Sequence, residues 1–184
     1  NIVPLLDSGH ANDAPYYVMP FIDDETLRAR LDRGERFPLA EAIALVTEVA
    51  DALEYAHAAG IVHRDIKPEN ILLLRGHAVV ADFGTARALT RVTDTGSGIT
   101  TGGMVVGTPA YMSPEQAVGE TEIDGRSDVY SLAIVLFEMV SGTLPFTAST
   151  TQGLIAKRFH ERAPRLSSRV PGVPDTTDDA VAMA

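Results

Sequence analysis

A chain of 184 residues with 45% hydrophobic content has the length of one domain and enough apolar mass for a packed core. With 25 acidic residues against 15 basic ones the formal charge is −10, which argues against nucleic acid as a partner, and the lack of cysteine excludes a disulfide framework and a thiolate metal site. The longest apolar run, Val129 to Val140, is too short to span a bilayer and carries Ser131 and Glu138, so no membrane contact is expected within this segment.

Taken in order, Ile2-Val3-Pro4-Leu5-Leu6 and Tyr16-Tyr17-Val18-Met19 read as two strands joined by a polar turn around Ser8 to Asp13. Pro20-Phe21-Ile22 leads into Asp23-Asp24-Glu25-Thr26, an acidic, cap-rich entry to a short helix carrying Leu27 and Leu31 and ended by Arg33-Gly34. A longer helix is expected from Leu39 to Ala59, with an apolar stripe at Leu39, Ile43, Val46, Val49, Leu53 and Ala56. Pro38 suits its first turn and Gly60 its stop. Ile71 to Leu74 and Ala78 to Ala81 form a second strand pair about a turn at Arg75-Gly76-His77. Thr85 to Gly107 is rich in Thr, Ser and Gly and has little to bury. Val129 to Val140 is apolar nearly all round, the pattern of a helix buried at a domain's centre, and Gly142 and Pro145 close it. A further helix is expected around Thr151 to Phe159, then a Pro/Ser-rich loop and a helical fragment from Asp178 to Ala184.

Between the apolar runs stands His63-Arg64-Asp65-Ile66-Lys67-Pro68-Glu69-Asn70, and Asp82-Phe83-Gly84 follows the second strand of the pair. Such a hairpin would hold Asp65, Lys67 and Asn70 at one mouth and return Asp82 beside them. Two carboxylates, an amide and an ammonium in one place suit a phosphate together with a hard metal ion that prefers oxygen ligands. Any one of these residues alone fits an ordinary polar loop with an Asx turn.

H-R-D-x-x-x-x-N followed by D-F-G resembles the catalytic core of protein kinases. The wording of Ile66-Lys67-Pro68-Glu69-Asn70 and of Gly107-Thr108-Pro109-Ala110-Tyr111 is similar to serine/threonine kinases. Met112-Ser113-Pro114-Glu115-Gln116 and Arg126-Ser127-Asp128-Val129-Tyr130-Ser131-Leu132 look most like bacterial kinases of the eukaryotic type. The resemblance implies an α+β, protein-kinase-like fold: residues 1–19 end the small lobe, 20–23 form the hinge, and 24–184 form a truncated, mainly helical large lobe. It implies ATP with Mg²⁺ or Mn²⁺ as cofactors, proteins bearing Ser or Thr as substrates, and a cytoplasmic setting.

Roles carried by the resemblance follow residue by residue. Asp65 orients the substrate hydroxyl and takes its proton, Lys67 steadies the transferring phosphoryl group, and Asn70 and Asp82 ligate the metal. Thr108 helps to seat a Ser/Thr substrate. Adenine lies against Met19, Pro20, Phe21 and Ile22, with Leu72 beneath it. Pro20 departs from the Glu frequent in the family, yet keeps the carbonyl that accepts from the adenine amino group, and the Ile22 N–H stays free to donate. His63 and Phe83 pack in an apolar stack, and Asp128 braces the His63-Arg64 backbone. Glu115 is expected in a buried ion pair with an arginine from a late helix; no clear candidate for it precedes Ala184, with Arg158, Arg162 and Arg165 left open. Thr100 or Thr101 is expected to carry an activating phosphate, added by self-association and paired with Arg64.

These residues contain no Gly-rich loop and no Val-Ala-Ile-Lys strand, so the parent gene is expected to encode both upstream of Asn1. The alternative is a pseudokinase-like scaffold without transfer activity. A small-molecule phosphotransferase of related fold typically lacks the Gly107 to Glu115 segment.

Overall fold

The sequence Asp124-Gly125-Arg126 begins the most buried helix of the chain's described residues, where the Asp124 side chain accepts from the Arg126 N–H at 2.9 Å. Gly142, in the left-handed conformation at φ 71°, ends it. The computed structural model describes residues 1–11, 14–83 and 109–183. In chain order they form β1 (Asp7–Ala11), β2 (Ala14–Val18), α1 (Leu27–Asp32), α2 (Leu39–Ala58), a 3₁₀ turn (Pro68–Asn70), β3 (Ile71–Leu74), β4 (His77–Val80), α3 (Pro114–Ala117), α4 (Gly125–Ser141), α5 (Thr151–His160), a second 3₁₀ turn (Leu166–Ser168) and α6 (Asp175–Met183). Helices dominate and the sheets are small, as an α+β chain of this class requires.

Helix α4 buries Leu132 and every residue from Ile134 to Ser141, and Val135, Phe137 and Met139 have no solvent exposure. Its continuous apolar pattern therefore means what it suggested, with Val129 the exception at 47% exposed. Helix α2 packs along α4 and against β4. Its buried face is Ala42, Leu45, Val49, Ala52, Leu53 and Ala56, so the expected stripe is rotated: Ile43 is 39% exposed. Three of the six buried positions are alanines, and Leu39 and Val46 of the expected stripe still pack against the core. Pro38 stands at the N-cap, one position before the first turn.

Short α1 begins where Thr26 accepts from the Ala29 N–H at 3.2 Å. Leu27 is buried, and the Glu25 carbonyl accepts from the Leu73 N–H at 2.9 Å, tying the helix start to β3. Gly34, at φ 76°, follows its end.

The first hairpin corrects the sequence reading. Strand β1 is the polar segment Asp7–Ala11, expected as the turn, and it pairs antiparallel with β2 in the register Gly9 to Tyr16. The apolar Ile2-Val3 goes elsewhere, pairing in parallel with Val80 through Val3 N–H to Val80 O (2.9 Å) and Val80 N–H to Asn1 O (2.8 Å). Pro4 has no N–H to continue that ladder. In the first hairpin the Tyr16 ring lies across Gly9, where an added Cβ would come within 2.7 Å of the tyrosine oxygen. The apolar run was a poor guide here, because the paired segment β1 is polar and mostly exposed.

The second hairpin, β3 with β4, forms as expected. Arg75 and Gly76, at φ 52° and 86°, make a two-residue turn with both centres left-handed, and His77 already belongs to the strand. At the far end, α6 starts at Asp175, earlier than expected. It buries Asp178, which accepts from the Ser167 N–H at 2.9 Å. Among the described residues no helix is long and apolar enough to cross a membrane.

Candidate active site

The loop between α2 and β3 is shaped from below by α4. Asp128, 1% exposed, accepts from the backbone N–H of His63 at 2.9 Å and of Arg64 at 2.7 Å. The brace expected of Asp128 is present. It lets Arg64 hold a left-handed backbone, φ 68°, which costs a non-glycine residue energy unless the surroundings fix it. His57, in the last turn of α2, lies 2.7 Å from the same carboxylate through Nε2.

His63 is buried and sits where the loop meets the strand pair. Its Nδ1 accepts from the Asp65 N–H at 3.2 Å, and its Nε2 donates to the Ala81 carbonyl at 2.8 Å. These partners require the neutral ring protonated on Nε2. Phe83 meets the ring edge-on, with centroids 4.6 Å apart and planes at 71°. The stack expected of His63 and Phe83 is therefore formed.

Asp65, Lys67 and Asn70 converge. Lys67 Nζ donates to Asp65 Oδ2 at 2.7 Å, and Asn70 Nδ2 donates to the same oxygen at 3.0 Å and to the Asp65 carbonyl at 2.8 Å. Because the Asn70 amide nitrogen is used in this way, its oxygen is the atom left for a ligand. The Ala81 N–H donates to the Asn70 carbonyl at 2.9 Å, which brings the next residue, Asp82, back to the loop. Asp82 has a left-handed backbone at φ 63°. An amide oxygen and a carboxylate are hard donors of the kind Mg²⁺ takes, usually with water and phosphate completing the set. The residues present fit that ion.

Of the residues expected around adenine, Met19, Pro20 and Phe21 are exposed, Phe21 at 89%, while Ile22 and Leu72 are half-buried. They lie on the extended stretch after β2 and on β3, where Leu72 pairs with Val79 and bridges to Thr26. Thr108, Thr100 and Thr101 lie outside the described residues.

Among the described residues Glu115 accepts from the Ser127 hydroxyl, and none of the three candidate arginines pairs with it. Burial pushes the Glu115 carboxyl up, but the Ser127 and Ser113 hydroxyls outweigh it and hold it below the ordinary value of 4.5. Arg158 instead donates to the Met112 carbonyl at 2.6 Å and to that of Ala110, and Arg165 pairs with Asp179 at 3.2 Å. Arg162 is exposed. A buried hydroxyl next to a helix start gives the carboxylate a partner without the cost of desolvating a second charge.

Two contacts escaped the sequence reading. Ser113 and Gln116 form a capping box at the start of α3, and the Gln116 Nε2 left over donates to the Arg64 carbonyl at 2.7 Å. The S-x-x-Q spacing could have revealed the box. Arg28 reaches Glu69, Glu138 and Tyr111 across 41, 110 and 83 positions, a juxtaposition no local pattern encodes.

A family model described as the protein kinase domain matches residues 1–181. The chain belongs to the protein kinase family. It is 39% identical over 184 residues to the serine/threonine-protein kinase PknL of Mycobacterium tuberculosis, covering 100% of this chain and 45% of that protein. It is 41% identical over 184 residues to PknD of the same organism, covering 99% of this chain and 27% of PknD. The probable serine/threonine-protein kinase PknB of Lactococcus lactis is 35% identical over 185 residues, with 100% of this chain and 28% of PknB covered. Among solved structures, the PknI kinase domain of Mycobacterium tuberculosis superposes with a TM-score of 0.70 at 26% identity, covering 100% of this chain and 63% of that one. The chain thus spans less than half the length of these curated relatives. The same kinase fold and the serine/threonine wording of the loop agree.

Proposed function

We propose that the protein carrying this chain transfers the γ-phosphoryl group of ATP to Ser or Thr hydroxyls of proteins. The observation that carries the proposal is the meeting of Asp65, Lys67 and Asn70 on one carboxylate oxygen, with Asp82 returned beside them by the Asn70–Ala81 backbone bond. In this reading Asp65 orients the attacking hydroxyl and accepts its proton, and Lys67 leaves Asp65 for the incoming phosphate oxygens. Asn70 and Asp82 hold Mg²⁺. Neutralising the phosphate oxygens during transfer is the chemistry that ion supplies when bound. Met19, Pro20, Phe21, Ile22 and Leu72 line the adenine, and their exposure leaves the surface a nucleotide would cover.

Thr108 seats the acceptor residue next to Pro109. Thr100 or Thr101 takes a phosphate from a second copy, and Arg64 pairs with it. The kinase relatives are named serine/threonine enzymes, which supports the choice of acceptor.

The deciding experiment compares the full-length gene product with its Asp65→Asn variant for transfer from γ-labelled ATP to a Ser/Thr protein. Transfer should fall by roughly 10²- to 10⁴-fold, the usual contribution of a positioned base. Equal transfer by both, or none by the parent protein, overturns the proposal in favour of a scaffold that keeps the fold without the reaction.

A further inference from the structure

Arg28 leaves the first turn of α1 and touches three other elements. Its two terminal nitrogens fork onto Glu138 of α4, each at 3.1 Å, and its Nε donates to Glu69 Oε1 at 3.3 Å. The Tyr111 hydroxyl receives a further donation from Arg28 and itself donates to Glu138. The side chains of Arg28 and Glu138 are 22% and 11% exposed, so water screens the fork little. Burial alone would lower the Arg28 pKa, but Glu138, Tyr111 and Glu69 outweigh it and raise it. Burial and the bond to Glu138 likewise push the Tyr111 hydroxyl up, so it stays a donor.

Geometry then restricts what can move. Glu69 lies between Pro68 and Asn70 in the 3₁₀ turn that Lys67 caps, so a displacement of Glu69 moves Asn70 directly and Lys67 through the turn. Among the described residues the second Glu69 oxygen, Oε2, is buried without a hydrogen-bond partner, and Arg28 holds the first. The Glu25 carbonyl and the Thr26 bridge tie the start of α1, from which Arg28 projects, to β3 just after the turn. On the other side Tyr111 closes the segment that follows Thr108, and Ser131 donates to its carbonyl at 2.8 Å.

We propose that Arg28 is a positioning residue: it locks the Glu69 turn to Tyr111 and α4, and so sets where a seated peptide hydroxyl stands relative to Asp65. The inference rests on the kinase reading above and adds a specific residue to it. Lysine cannot replace Arg28, since an ammonium cannot fork onto one carboxylate while reaching a second one and a phenol.

The test uses the full-length gene product with Arg28→Ala and Arg28→Lys. For a Ser/Thr peptide, kcat should fall roughly 10- to 100-fold in both, the usual effect of misplacing reacting groups by about 1 Å, while KM for ATP stays within about twofold. Unchanged kcat, or a loss that cooling restores in step with the folded fraction, overturns the proposal. Hydrogen exchange in the Asp65→Asn background provides a readout independent of turnover. There, Arg28→Ala should speed exchange in residues 67–70 and 109–113 and leave α2 protected. Should the parent protein transfer no phosphate, the kinase reading fails, and unchanged exchange in those two segments would still decide against Arg28.

Discussion

At the scale of single residues, Asp128 contributes more to the site than its distance from the chemistry suggests. It is a buried carboxylate that accepts from two backbone N–H groups and contacts His57, all within 2.9 Å. Asp128→Ala leaves those donors without an acceptor at about 1–3 kcal/mol each, so thermal unfolding should show a loss of at least about 2 kcal/mol. Asp128→Asn retains one acceptor oxygen and should fall between that variant and the parent. A change below about 0.5 kcal/mol for Asp128→Ala would mean that the loop keeps its shape by other means. Much of this neighbourhood was legible in the sequence, because the spacing from His63 to Asn70 and the return at Asp82 describe one continuous loop and hairpin. Asp128 became legible only through the family resemblance. The Ser127 hydroxyl that Glu115 accepts from was not readable from its spacing, and Arg28 was invisible because its partners lie far away in sequence.

At the scale of elements, the errors share a cause: periodicity names the apolar residues but not their partners. The stripe expected on α2 included Ile43, yet Leu45 and Ala42 face α4 and the strand pair instead. The two leucine-sized positions therefore make a direct comparison. Leu45→Ala, 5% exposed, should lose about 2–4 kcal/mol by denaturant titration, and Ile43→Ala, at 39%, less than half as much. A reversed order would show that the original stripe was correct. The hairpins diverge in the same way. Strands β3 and β4 were readable from apolar runs flanking a glycine turn, whereas β1 is polar and pairs with Gly9 opposite Tyr16.

At the scale of the whole molecule, the acidic composition sets the response to pH. Among the described residues, six carboxylates lie below their ordinary values. Arg33 lowers Glu25, Arg30 lowers Glu35, Arg126 lowers Asp124, and Ser167 lowers Asp178. For Glu48 burial acts upward, but the His77 ring and the Ala78 N–H outweigh it. A carboxyl depressed in the folded state binds protons more readily once unfolded. Its contribution is therefore complete above the ordinary values of 4.5 for Glu and 3.8 for Asp, and is lost as the pH falls through the lower folded values. Denaturant midpoints should hold level from neutrality to about pH 5 and then decline. Rising stability on acidification below pH 4 would contradict that sign. Most of the arrangement of helices was foreseeable at this scale, since α4 was marked by its uninterrupted apolar run. The ion pairs that tune the acid response were not, because exposed arginines and carboxylates carry no preferred spacing.

The two backbone bonds joining Asn1 and Val3 to Val80 have a mechanical meaning. Tension applied at residue 1 reaches the strand two positions ahead of Asp82 directly, without first unwinding any helix. A displacement of residues 1–3 would therefore act on a buried core residue, Val80, and two positions further on the proposed metal ligand.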